Sequence, residues 1–204
     1  ATIENCAHAV WVIGRDHEEP SENRLARAYL EELLSAEEAK KNAGRLGPKT
    51  GPTHVQANAY YKTLKNQIVA RFGTDAETLG TRTLNGQTLP SPENCVIWMY
   101  ALAEEFGSPI NNRAAAGIYG TLSNMTHPTL YPARQLRVWT DDHVHGHRVA
   151  SLNLDLAYME RQASAALAAF YNAMTWVTSY FGWSTSVLNA LETKIEAKLP
   201  TFFI

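Results

Sequence analysis

The chain predicts an all-α fold, a single-domain bundle of about eight helices, and three observations predict it. Apolar residues recur at three- and four-residue spacing; the segments so marked are bounded by serine caps, first-turn prolines and terminal glycines; no two segments form a convincing strand pair. With 204 residues, 45% apolar and 19% charged, residues 1–204 suffice for one domain with a real core. The net charge of -2 gives no global attraction to nucleic acid or anionic membranes, so any such binding needs a local patch. Cys6 and Cys95 both lie in helical contexts, which argues against a disulfide framework and for a reducing, cytoplasmic location.

Ala1 opens directly into a helical pattern that runs to about Ile13, so the natural chain is expected to begin further upstream. A second helix follows Pro20 and Ser21 to about Asn42, with Gly44 as its stop and Glu37–Lys41 as an opposite-charge pair on its wet face. GRLGPKTGPT reads as a loop, since it lacks the spacing of a Walker phosphate-binding motif. A third helix spans about Val55 to Phe72 and ends at Gly73. Residues 74–90 form a polar insertion, expected to be a mobile loop, in which Asn85-Gly86 marks a tight turn. Ser91-Pro92 starts a fourth helix that ends at Gly107, and a seam-bearing helix should pair antiparallel with it. Tyr131 to His147 reads as irregular. The longest helix runs from about Asn153 to Phe181, and a last one from Ser184 to about Lys198 precedes Pro200. No charged residue falls between Gln162 and Leu191, yet Ser164, Asn172, Thr175 and Gly182 interrupt that run. A buried helix or an oligomer surface therefore explains it better than a membrane span.

Ser108 to Pro128, SPINNRAAAGIYGTLSNMTHP, carries the candidate site. Ser108-Pro109 predicts a cap with a first-turn proline, and Pro128 disfavours helical geometry at His127. At about 100° per residue, Ala114, Ile118, Leu122 and Met125 gather as the core stripe, with Arg113, Gly117, Gly120, Asn124 and His127 roughly opposite. Tyr119, Ser123 and His127 form an i, i+4 ladder beside them. The residues suit two roles. Either the glycines let another backbone approach while Asn124 and His127 satisfy buried carbonyls, or the small residues leave room for a ligand served by Tyr119, Ser123, Asn124 and His127. Arg113 lies about 21 Å along the axis from His127, too far for the two to cooperate directly.

Other motifs narrow the chemistry. His143-Val-His145-Gly-His147 beside Asp141 and Asp142 offers alternating ligands, but without the Asp-His continuation of a metallohydrolase motif. It is expected to be a titrating surface cluster with no metal. Glu-x-x-His pairs, a nucleophile elbow and a dinucleotide fingerprint are all missing from the sequence. Arg134, Arg137, His143, His145, His147 and Arg148, with Tyr131 and Trp139 among them, compose a possible RNA-contact patch. The competing description is a polar connector whose aromatic rings pack on the long helix.

Tyr119-x-x-x-Ser123-x-x-x-His127 near a helix end, together with Glu4, Trp11, Arg24 and Arg27 of the opening segments, resembles bacterial all-helical proteins similar to the HEPN superfamily. Arg137-VWTDD-His143 also fits the Arg-x(4–6)-His pattern of active HEPN members. The resemblance implies a cytoplasmic homodimer of bacterial stress or phage-defence systems that associates with RNA, and a metal-independent ribonuclease in the active members. In that role His127 or His143 would be the general acid/base and Arg137 would stabilise the phosphate, with no cofactor. Two other classes stay open: a non-catalytic dimeric interaction module, and a bundle binding a small molecule or metal.

Overall fold

The computed structural model describes residues 2–16, 18–126, 134, 136–142, 145–152, 155–200 and 202. Eight helices occupy most of them: α1 (Thr2–Ile13), α2 (Ser21–Leu46), α3 (Pro52–Phe72), α4 (Ala76–Gly80), α5 (Pro92–Glu105), α6 (Asn112–Thr126), α7 (Leu156–Phe181) and α8 (Ser186–Lys198). Two separate antiparallel hairpins complete the described residues, β1 (Thr83–Leu84) with β2 (Gln87–Thr88), and β3 (Arg137–Asp142) with β4 (His147–Leu152). The fold is all-α. It divides into two compact units, one of residues 11–91 and one of residues 1–10 with 92–204.

In residues 11–91 the local chemistry is set by the turn that follows α1. Gly14 has φ +89°, and a Cβ there would meet the Glu19 carboxylate and the Arg27 guanidinium. Only glycine fits. Arg27 is buried, donating Nη1 to the Trp11 carbonyl at 3.0 Å and to Glu19 Oε2 at 3.1 Å, Nη2 to Glu19 Oε1, and Nε to Gln87 Oε1 at 2.8 Å. Arg24 Nε caps the Ile13 carbonyl at 2.8 Å, so two arginines close the otherwise unpaired C-terminal end of α1.

α2 packs along α3. The helix does not stop at Gly44 but continues to Leu46, before Gly47-Pro48. Gly44 serves contact instead: a Cβ there would lie 3.1 Å from the His54 ring, a tight approach that the ring would have to relieve by a few tenths of an ångström. α3 begins at Pro52 rather than Val55, because proline suits the first helical turn. The polar insertion contains α4, N-capped by Asp75 accepting from the Thr78 N–H at 2.7 Å, a bond that holds the Asp75 carboxyl below its usual range. The Asn85-Gly86 turn is present, both residues at positive φ, between two-residue strands. Leu79 and Leu84 from this segment are buried.

In the second unit, α5 and α6 are packed neighbours. α6 begins at Asn112, not at Pro109; Asn111 caps it, its Oδ1 accepting from the Ala114 N–H at 3.0 Å. The inward position also differs from expectation: Ala115 is fully buried and Ala114 exposed, so the core stripe is turned by a residue at its start. α7 is capped by Asp155 and closed by Gly182 in the left-handed conformation. Its charge-free stretch buries Ala169, Ala173 and Thr178 while Phe170 and Phe181 stay exposed. Among the described residues no helix is long and apolar enough to cross a membrane.

The largest departure from expectation is β3–β4, where an irregular connector was anticipated. The register pairs Arg137 with Leu152, Trp139 with Ala150, Asp141 with Arg148, and Asp142 with His147. RVWTDD and HRVASL carry valine, threonine and tryptophan, whose branched or broad side chains suit a pleated backbone, and Gly146 at φ +68° serves the turn.

Two consequences are measurable. Replacing Arg27 by Met leaves the half-buried Glu19 carboxylate with only the Arg15 N–H as donor among the described residues, so urea denaturation should show a loss of about 3 kcal/mol. Arg27→Lys should recover little of it, because an ammonium cannot reproduce the fork. A loss under about 1 kcal/mol would contradict the structural role assigned to the pair. The second concerns Tyr100, fully buried with no hydrogen-bond partner for its hydroxyl among the described residues. Burial, then proximity to Cys6, pushes its phenol up to about 12. A raised folded-state value means that the stabilisation from the neutral phenol is complete below pH ~10 and is lost as pH rises towards ~12. Tyr100→Phe should be about 1 kcal/mol more stable than the parent near neutrality, and the gap should widen by about 2 kcal/mol between pH 10 and 12.

Candidate functional site

The α6 seam is built from a helix whose small residues leave its surface open. Beside Gly117 and Gly120 an added Cβ meets no atom of the described residues within 4 Å. Close backbone packing at these glycines is therefore not what the described residues show. Tyr119, Ser123 and Asn124 are half-buried along the same helix; the Ser123 side of the ladder is engaged, and Thr121 Oγ1 bonds back to the Gly117 carbonyl at 2.9 Å. Arg113 is exposed at the first turn. His127, the end of the ladder, lies outside the described residues, as does His143.

The hairpin presents the other half of the expected site. Along β3, alternation places Arg137, Trp139 and Asp141 on one face, and the register sets Arg148 opposite Asp141 and diagonal to Trp139. The Arg137 guanidinium carbon lies 4.6 Å from the Trp139 ring centre, and that of Arg148 5.5 Å. Trp139 remains 46% exposed, and Arg148 Nε is 3.3 Å from Asp141 Oδ1 with both side chains mostly in solvent. Such an exposed ion pair is worth about 0–1 kcal/mol, so Arg148 can leave Asp141 for a better anion. Arg137 has no acceptor among the described residues. On the opposite face Val138 and Val149 are 44% and 47% exposed, and Thr140 Oγ1 donates to the Val149 carbonyl at 3.4 Å.

The remaining candidates separate. His145 and His147 stand exposed at the turn and on β4, and Arg134 is exposed; Tyr131 lies outside the described residues. Among the described residues no three His, Cys, Asp or Glu side chains gather as a metal-holding group. Glu37 pairs with Lys41 at 3.0 Å, as its spacing indicated. Arg24 and Arg27, residues that carried the family resemblance, hold the end of α1 and so perform structural work. Cys6 and Cys95 are buried free thiols, and burial pushes the Cys6 thiol up, away from the reactive thiolate. Arg137, Trp139 and Arg148 were grouped by sequence as a patch; what the sequence reading missed is the strand pairing that stacks them, for which the available signal was the alternation of RVWTDD against HRVASL across Gly146.

The openness of the seam can be tested directly. Gly117→Ala and Gly120→Ala enter free space within a helix, so each should raise unfolding stability by about 0.5–1 kcal/mol in urea titrations. Destabilisation of more than about 1 kcal/mol by either would mean that a neighbour occupies the glycine face. Comparison with family models, with curated proteins and with solved structures finds no match to this chain.

Proposed function

We propose that this chain is an RNA-associated protein of the HEPN-like kind, acting as a homodimer in the cytoplasm of a bacterium during stress or phage defence, with the β3–β4 hairpin as its RNA contact. The single observation that carries the reading is the Arg137–Trp139 stack: a half-exposed indole with a guanidinium on it and donors unclaimed by any described acceptor. A base can stack on the indole while Arg137 and Arg148 take neighbouring phosphates, a sequence-tolerant mode suited to single-stranded RNA. On the Trp139 face Arg137 and Arg148 outnumber Asp141, a local positive excess of the kind that binding would need in a chain of net charge -2.

The family resemblance adds cleavage to this reading. His127 or His143, as general base, would take the proton of a ribose 2′-hydroxyl; its oxygen would attack the adjacent phosphorus as the bond to the 5′-oxygen breaks. A protonated acid would return a proton to the leaving oxygen, giving a 2′,3′-cyclic phosphate and a 5′-hydroxyl. Arg137 would stabilise the charge developing on the phosphoryl oxygens. Tyr119, Ser123 and Asn124 would supply ligand-orienting hydroxyl and amide groups from α6. Dimerisation through α7 is supported by its charge-free run and by Phe170, Phe181 and Trp183 left in solvent.

A non-catalytic interaction module is the second reading, favoured by the exposed valines on the back of a two-stranded ribbon that no third strand covers among the described residues. Fluorescence anisotropy with labelled single-stranded RNA distinguishes the two. Binding should weaken about ten-fold in Trp139→Ala and in Arg137→Gln and fall steeply with salt. Cleavage in EDTA should be lost in His127→Ala or His143→Ala, and light scattering should give twice the chain mass. Absence of RNA binding at low salt would remove the RNA reading; binding with identical background degradation in wild type and both histidine variants would remove the nuclease step alone.

A further inference from the structure

Residues 11–91 form an open cleft of about 160 Å³ between α2, α3 and the segment running from α4 into β1, with no part in the RNA reading. Leu30, Leu33 and Leu79 lie beneath it, closed off from solvent, so the surface that a ligand meets is polar. Tyr61 and Lys65 line it from α3, where the four-residue spacing makes them neighbours on one helix face, and Arg82 lines it from the residues between α4 and β1. Gly80 adds bare backbone, since a Cβ there would meet no described atom within 4 Å.

The donors on this surface are unclaimed. The Tyr61 hydroxyl and the half-buried Lys65 ammonium have no hydrogen bond or ion pair among the described residues. Lys40 holds its ammonium 3.9 Å from the centre of the Tyr61 ring instead of on a carboxylate. Arg82 has one long contact, 3.8 Å from Nη2 to Glu37 Oε2, and Glu37 is already paired with Lys41 at 3.0 Å. Four cations, Lys40, Lys41, Lys65 and Arg82, thus stand against Glu37 and the neighbouring Glu38, which shares Lys41. The local sign is positive in a chain whose net charge is -2.

Arg82 adds an independent observation. Its φ is +58°, in the left-handed region that favours glycine. The conformation is held by two main-chain bonds, its N–H donating to the Leu79 carbonyl and its carbonyl accepting from the Leu89 N–H, each 3.0 Å. A glycine would occupy this position with less strain. What the strained residue provides is a guanidinium at the rim of the cleft, 49% exposed and therefore able to reach an incoming anion.

We propose that this cleft binds the phosphate group of a small polar molecule, free phosphate being the smallest member of that class. The sign of the ligand follows from the unmatched Lys65 ammonium and the weakly matched Arg82 fork. Its shape follows from the donor set: a fork that spans two oxygens, an ammonium acting as a point charge and a phenolic hydroxyl serve a tetrahedral oxyanion more fully than a planar one. Its size follows from the volume, roughly five waters at about 30 Å³ each, enough for a phosphate with a short polar tail. The phosphate oxygens face Lys65, Arg82 and the Tyr61 hydroxyl.

The test uses the full chain at constant ionic strength, with inorganic phosphate, glycerol phosphate and acetate as probes, followed by the backbone amide signals in NMR titrations. Both phosphates should shift the Lys65, Gly80 and Arg82 amides with a Kd of about 1 mM or tighter, the tighter of the two telling whether the site takes the free ion or an ester, and acetate should bind at least about ten-fold more weakly. Lys65→Gln should weaken phosphate about ten-fold. Arg82→Gly removes the guanidinium and relieves the backbone together, so it should also weaken phosphate about ten-fold while melting no lower than the parent, which separates lost binding from lost folding. No amide shift at about 10 mM phosphate would overturn the proposal. So would equal affinity for phosphate and acetate, or undiminished phosphate binding in both variants.

Discussion

The buried guanidinium of Arg27 is the interaction on which residues 11–91 close. A charge out of water is tolerated only when paired and hydrogen-bonded, and here one side chain meets the Glu19 carboxylate, the Trp11 carbonyl and the Gln87 amide oxygen. Each partner belongs to a different segment: the end of α1, the turn after it, and β2. Arg27 thus fixes where α1 stops relative to α2 and where the small hairpin lies. Gly14 follows from the same pair, since the carboxylate occupies the place a side chain would take. Trp11 also lies under the guanidinium, 5.7 Å from ring centre to carbon, adding a cation–π contact to the carbonyl bond.

The two hairpins show how differently a ribbon can be supported. The small one places Leu84 in the interior, so a helical layer compensates for the weakness of two isolated strands. The larger one exposes valines on one face and a tryptophan on the other. Its described contacts come mainly from cross-strand pairs, such as the Thr140 and Ser151 hydroxyls bonded to opposite carbonyls at 3.4 Å. A ribbon of this kind offers backbone edges and side-chain faces to an outside partner, and the Arg–Trp–Arg face determines which chemistry suits it.

Solvent sets the electrostatics of the larger hairpin. On β3–β4 the cations stand in water, where ion pairs are weak and exchangeable, a condition that favours a polyanion making several phosphate contacts. The seam of α6 is a different surface. Its glycines look into open space, and Tyr119 and Asn124 stand half-buried beside it.

Local chemistry was legible in the chain itself. The helical class, the Gly73 and Gly182 stops, the Asn85-Gly86 turn, the Pro92 start and the Glu37–Lys41 pair all follow from short-range rules, because caps, turns and i, i+4 neighbours are decided within a few residues. The interior was legible only in part. α6 is capped by Asn111, three residues after Ser108, and Ala115 rather than Ala114 is the buried alanine, because packing against the neighbouring elements and not the helical period alone decides which face turns inward. The burial of Arg27 was decided by the tertiary structure: it requires Arg27 and Gln87, far apart in sequence, to meet, and no local propensity encodes a long-range contact. The β3–β4 ribbon pairs residues five to fifteen apart, so its alternation was there to be read, but an alternating segment becomes a strand only when a second one pairs with it.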